Sequence, residues 1–68
     1  MTKEKIIMML ENVRDIILKE DKDLVFILRN HTISVYDLNE LTEINAVSLD
    51  QRRDPKPEDF IKAVENYF

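Results

Sequence analysis

The stretch Leu24-Val-Phe-Ile-Leu-Arg-Asn-His-Thr-Ile-Ser-Val-Tyr36 decides the fold. The β-branched and aromatic residues on either side of Asn30-His31 read as two strands joined by a tight turn. Asparagine tolerates the left-handed backbone that a two-residue hairpin turn needs. With the turn placed at Asn30-His31, Leu28 stands opposite Ile33, Phe26 opposite Val35 and Leu24 opposite Asp37. Directly opposed residues share a face. One face is therefore Leu24, Phe26, Leu28, Ile33 and Val35, nearly all apolar. The other is Val25, Ile27, Arg29, Thr32, Ser34 and Tyr36, which is mixed and more apolar than a face left to solvent.

Upstream of the hairpin, the spacing of Ile6, Met9, Leu10, Val13, Ile16 and Ile17 fits one wide face of a helix running to about Glu20, with Thr2 as its N-cap. Glu4, Glu11, Asp15 and Lys19 fall on the other side, and Glu11–Arg14 and Asp15–Lys19 have helical ion-pair spacing. Ile7 and Leu18 lie on the flank of the stripe and Met8 lies among polar residues. Lys19-Glu-Asp-Lys-Asp23 is a charged connection into the hairpin.

Downstream, Asp37-Leu-Asn-Glu40 has the spacing of a capping box. It predicts a helical turn carrying Leu38, Leu41 and Ile44. Asn45-Ala-Val-Ser-Leu-Asp50 alternates and suits a third short strand; continuation of the helix to Leu49 is the alternative. Gln51-Arg-Arg-Asp-Pro-Lys-Pro57 is a loop. Pro55 or Pro57 suits the first position of a last helix, whose positive end Glu58 and Asp59 favour. That helix carries Phe60, Ile61, Val64, Tyr67 and Phe68 on one face, and the terminal aromatic pair is expected to be tied down. Helices at both ends of an antiparallel hairpin or three-stranded meander make a two-layer α+β domain spanning residues 1–68.

Composition narrows the function. A chain of 68 residues buries only about 60% of the surface it exposes when unfolded, and a core of that size rarely gives more than about 3–5 kcal/mol. Without cysteine, neither disulfides nor thiolate metal sites can supply the rest; with one histidine, neither can a histidine cluster. Self-association or docking on a partner is the remaining source, and a homodimer is expected. Lack of cysteine fits a reducing compartment, the apolar run before Glu11 is too short for a signal peptide, and no stretch approaches the roughly 20 apolar residues of a membrane span. A cytoplasmic protein is expected, with no membrane role.

The chain has no glycine. Phosphate loops, dinucleotide fingerprints and EF-hand loops all require it, so no cofactor is expected. Any turn with positive φ is expected at asparagine, aspartate or histidine. His31 sits at the hairpin tip, away from Ser34 on the strand, and Ser48 has no base beside it, so no nucleophile–base pair is assembled. Asp37, Glu40 and Glu43, and Asp54, Glu58 and Asp59, are explained by capping and the helix dipole. No enzyme and no metal site is expected.

The net charge of −4 is spread as −1 over residues 1–23, −2 over residues 24–49 and −1 over the remainder, with no block of strong sign. Arg52-Arg53 lies between Asp50 and Asp54, which cancel much of its field. This acidity argues against direct nucleic-acid binding, which needs a basic footprint. Phe26 and Tyr36 point to opposite faces of the hairpin and form no shared stacking platform. What remains is a small protein-interaction module that binds a protein partner: an inhibitor, an antitoxin-like protein or an adaptor, of the sort phages and mobile elements carry. Its expected binding surface is the apolar remainder, Ile7, Leu18, Val25, Ile27 and Tyr36. The face of Val25, Ile27 and Tyr36 has no evident cover in this chain, so lysine at 25 or 27 is expected to spare the fold and abolish association. The alternative is an acidic nucleic-acid mimic that occupies the basic groove of a DNA- or RNA-handling protein.

Overall fold

A computed structural model describes residues 6–8 and 10–67. The hairpin anchors it. Strand β2, Leu24–Arg29, and strand β3, Thr32–Asp37, pair antiparallel with Leu28 opposite Ile33, Phe26 opposite Val35 and Leu24 opposite Asp37. The register read from the sequence holds throughout, and Asn30 takes the positive φ of 55° that the turn requires.

Two further strands flank this pair: β1, Val13–Lys19, beside β2, and β4, Glu43–Ser48, beside β3. The sheet is a four-stranded antiparallel meander in the order β1-β2-β3-β4. The helix expected up to Glu20 is thus corrected. Residues 6–8 are helical, the Leu10 N–H donates to the Ile6 carbonyl at 3.2 Å, and Asn12 at φ 61° ends the turn. Val13, Ile16 and Ile17 are β-branched and stiff at χ1, which suits a pleated sheet. In the strand, Ile16 opposes Ile27 and Leu18 opposes Val25, while Ile17 opposes Phe26. An apolar run serves both faces when both are covered. The expected ion pairs Glu11–Arg14 and Asp15–Lys19 do not form among the described residues, because their spacing brings them together only in a helix. The Thr2 cap and the placements of Glu4, Met9 and Phe68 lie outside the described residues.

The capping-box spacing at Asp37 marks a turn and not a helix. The Asp37 carboxylate accepts the N–H groups of Asn39 at 2.8 Å and Glu40 at 3.1 Å, and its carbonyl accepts the Leu41 N–H at 2.7 Å. The chain then enters β4 at Glu43, earlier than the expected start at Asn45, with a bulge opposite Val35 and Tyr36. The only helix of several turns among the described residues is α1, Pro57–Asn66, with Pro57 in the first turn. Asp59 accepts the Lys56 N–H at 3.0 Å; lysine has no acceptor to return the bond, so the cap is one-sided.

Both faces of the central strands β2 and β3 are covered. Phe26, Leu28, Ile33 and Val35 pack with Phe60 and Val64 of α1, and the Phe26 and Tyr67 rings meet edge to face at 5.3 Å. On the other face Val25 and Ile27 pack with Ile16 and with Ile6 from the N-terminal turn. Ile61 of α1 faces outward, off the apolar face expected for it. The fold is α+β, with a four-stranded sheet in place of the hairpin or three strands and with cover on both sides in place of two layers.

Candidate functional site

The five residues expected to bind a partner fall in two places. Val25 and Ile27 are fully buried, and Leu18 and Tyr36 pack half-buried against them. The expectation of an uncovered face is corrected here: Ile6 and Leu10, together with β1, provide the cover that the sequence left unassigned. Ile7 is separate and half-exposed, lining a surface hollow with Val13 and Ile16. What stays open on the second face is a small apolar crevice of about 30 Å³ between Ile6, Leu10, Ile27, Tyr36 and Leu41.

That crevice lies toward one end of the sheet, and the topology gives this end its character. The β1–β2 connection and the β3–β4 connection emerge side by side, joined by the Leu38 N–H donating to the Asp23 carbonyl at 2.9 Å. Glu20, Asp21 and Asp23 from the first and Asp37, Glu40 and Glu43 from the second lie at this end, with Lys19 and Lys22 the accompanying bases among the described residues of these two connections. Together these eight residues carry −4. The acids look evenly mixed along the sequence because the two loops are far apart in it. Folding gathers them.

The arginines lie at the opposite end. Arg52 clasps Asp50 through Nε at 3.1 Å and Nη2 at 3.3 Å, and donates its backbone N–H at 2.9 Å. The Arg52 guanidinium, and then its backbone N–H, hold the Asp50 carboxyl below its ordinary pKa. Arg53 pairs with Asp59 at 3.2 Å and not with Asp54. A polar groove of about 300 Å³ extends from Arg29 and Thr32 near the same end past Ser34 to Glu43 at the acidic end, with Glu11 also in its lining. Ser34 is buried in the sheet. His31 is at the turn, where its carbonyl accepts the Leu49 N–H at 2.7 Å.

The two sheet edges carry the same local device. In β4, the Leu49 N–H points toward β3, so by alternation those of Val47 and Asn45 do as well. The N–H groups of Ala46 and Ser48 therefore face the open edge. That of Ala46 is taken by the side chain of its own neighbour, Asn45 Oδ1, at 2.8 Å, while Asn45 Nδ2 donates to the Tyr67 hydroxyl at 3.3 Å. In β1, Asp15 Oδ1 holds the Ile16 N–H at 2.8 Å in the same way. Sequence reading missed the Asp15 bond because it placed β1 in a helix.

Among the described residues no group of three or more His, Cys, Asp or Glu is placed to hold a metal ion, and no helix is long and apolar enough to cross a membrane. No protein-family model, curated protein or solved structure matches this chain significantly.

Proposed function

We propose that this chain is a non-catalytic protein-interaction module, acting by binding a protein partner with a basic surface. One observation carries the reading: an apolar crevice toward the end where six carboxylates of two connections gather with two lysines. Interfaces commonly join an apolar centre to a polar rim, and a one-signed pole speeds encounter with an oppositely charged surface. Here Tyr36 and Leu41 line the crevice, and Glu40 and Glu43 flank it in the chain. Of the residues expected from sequence, Tyr36 and Ile27 keep a part in such a site; Val25 supports it from within.

The test is capture by the tagged chain from a nuclease-treated extract of the source organism, followed by purification of the captured protein and calorimetric titration. Saturable binding that weakens at least tenfold in a Glu20→Lys/Asp21→Lys variant, and weakens with added salt, is the expected result. Failure of the purified candidate to bind, or binding indifferent to both changes, overturns the reading.

The acidic mimic is the second reading, and the gathering of six carboxylates at one end favours it. Competition separates the two. A mimic is displaced from its target by DNA or RNA; an ordinary interaction module is not.

A further inference from the structure

We propose that the polar groove beside the crevice is a peptide site: an extended segment of the partner lies along β3 and presents an apolar, a basic and an acidic side chain, in that order, on alternate residues. This rests on the partner reading and names what the partner presents.

The groove exists because the second face is covered only in part. Ile6 and Leu10 pack over Val25 and Ile27. Farther across the sheet, Thr32 and Ser34 of β3 stand opposite Ser48 and Ala46 of β4, and all four side chains are short. Glu11, next to Leu10 in the chain, and Glu43, opposite Tyr36, line the hollow this leaves. Groove and crevice are neighbours: Ser34 of the one pairs with Ile27 of the other, and Glu43 pairs with Tyr36.

The polar groups of the groove are open to a ligand. The ion pairs among the described residues are Arg52–Asp50 and Arg53–Asp59, so Arg29, Glu11 and Glu43 have none there. Ser34 is 2% exposed, and its hydroxyl has no hydrogen-bond partner among the described residues. Every fully buried side-chain oxygen or nitrogen there has one. What stays open on Ser34 therefore includes the hydroxyl, reached from the groove.

Register sets the spacing of the occupant. Tyr36, Ser34 and Thr32 follow one another on this face at every second residue, about 6.8 Å apart. An extended peptide presents the side chains of one of its faces at the same interval. Laid along these rows, it brings an apolar side chain to the crevice at Tyr36. Two residues on, a lysine or arginine comes over Ser34, within the groove that Glu11 and Glu43 line. Two further on, a carboxylate reaches Arg29 and Thr32, which stand opposite each other. Charge fixes the order. An acidic middle residue would meet two carboxylates, and a basic one at the far row would meet the arginine.

An NMR titration of the isotope-labelled chain with two blocked pentapeptides tests this: Leu-Ser-Arg-Ser-Glu and its charge-exchanged form, Leu-Ser-Glu-Ser-Arg. The first is expected to shift the amides of Thr32, Ser34 and Tyr36 saturably in the millimolar range, and the second to bind at least fivefold more weakly. Glu43→Lys, at an exposed position, should abolish that preference. Ser34→Val fills the floor of the groove with a strand-forming side chain; it should stay folded by circular dichroism and bind neither peptide. No saturable shift from the first peptide, equal affinities for the two, or a preference that survives Glu43→Lys overturns the proposal. Failure of the peptides alongside a captured partner that still responds to Glu20→Lys/Asp21→Lys overturns the groove and leaves the partner reading standing. Charge-selective peptide binding with no protein captured upholds the groove and counts against that reading.

Discussion

Leu41 occupies the left-handed region at φ 55° in a chain with no glycine. The positive-φ residues Asn12, Asp23 and Asn30 belong to the types expected there, since a short polar side chain can bond locally. Leucine has no such compensation and costs about 1–2 kcal/mol in that conformation. Two features hold it. Its N–H donates to the Asp37 carbonyl while the Asp37 N–H donates to the Thr42 carbonyl, and its side chain packs half-buried on the second core cluster. Leu41→Ala keeps the strain and loses the packing; Leu41→Gly loses both. Leu41→Gly is therefore expected to be no less stable than Leu41→Ala, although glycine usually costs more, and denaturant titration of the two variants checks the order. If alanine is the more stable by about 1 kcal/mol, the usual penalty for glycine, the strain at this position is absent. Composition showed that some residue would carry an awkward turn; it could not show that an apolar anchor would outweigh the polar types.

At the scale of the element, α1 depends on a cap that its N-cap residue cannot provide. Asp59, in the first turn, accepts the Lys56 N–H, and this bond, with the nearby Arg53 guanidinium, holds its carboxyl below the ordinary value of 3.8. A carboxyl depressed on folding stabilises fully above its unfolded pKa and loses that contribution as pH falls through the folded one. Asp59→Asn should lower Tm at neutral pH, and the gap from wild type should close as the pH falls below about 3.8. A gap that stays constant to pH 2 would mean that the charge plays no part. This helix was legible from Pro57 and the apolar spacing of Phe60, Val64 and Tyr67, because both signals are local. β1 was not. Ile6, Leu10, Val13 and Ile17 suit a helical stripe as well as a strand, and only the fit of Ile16 and Leu18 against Ile27 and Val25 breaks the tie. That contact is made with residues distant in the chain. The local clues were Asn12, which suits a helix stop, and Leu18, which fell only on the flank of the helical stripe.

For the whole molecule, covering both faces of the central strands turns two residues of the expected binding surface, Val25 and Ile27, into core. Val25 and Ile27 are fully buried, so a lysine at either position buries an unpaired charge, at a cost of several kcal/mol. A domain of this size rarely has more than about 3–5 kcal/mol to lose. Val25→Lys and Ile27→Lys are therefore expected to unfold the chain, by circular dichroism at 25 °C, whereas Ile7→Lys, at a half-exposed position, should leave it folded. A cooperative native transition in Val25→Lys would show that this face is open. The hairpin register could be read because a turn fixes it. The acidic pole and the cover over Val25 could not, because both arise from segments that meet only after folding.

The strand order has a consequence in time. Each strand pairs only with the one before or after it in the chain, and every connection within the sheet is short. No long loop must close before the next pair forms, and β2–β3, whose turn is the tightest, can close on the scale of a hairpin, about 1–10 µs. β1 and β4 then add from either side, each closing only a short loop. Both edge strands are thus the last parts of the sheet to be placed and the first to come away.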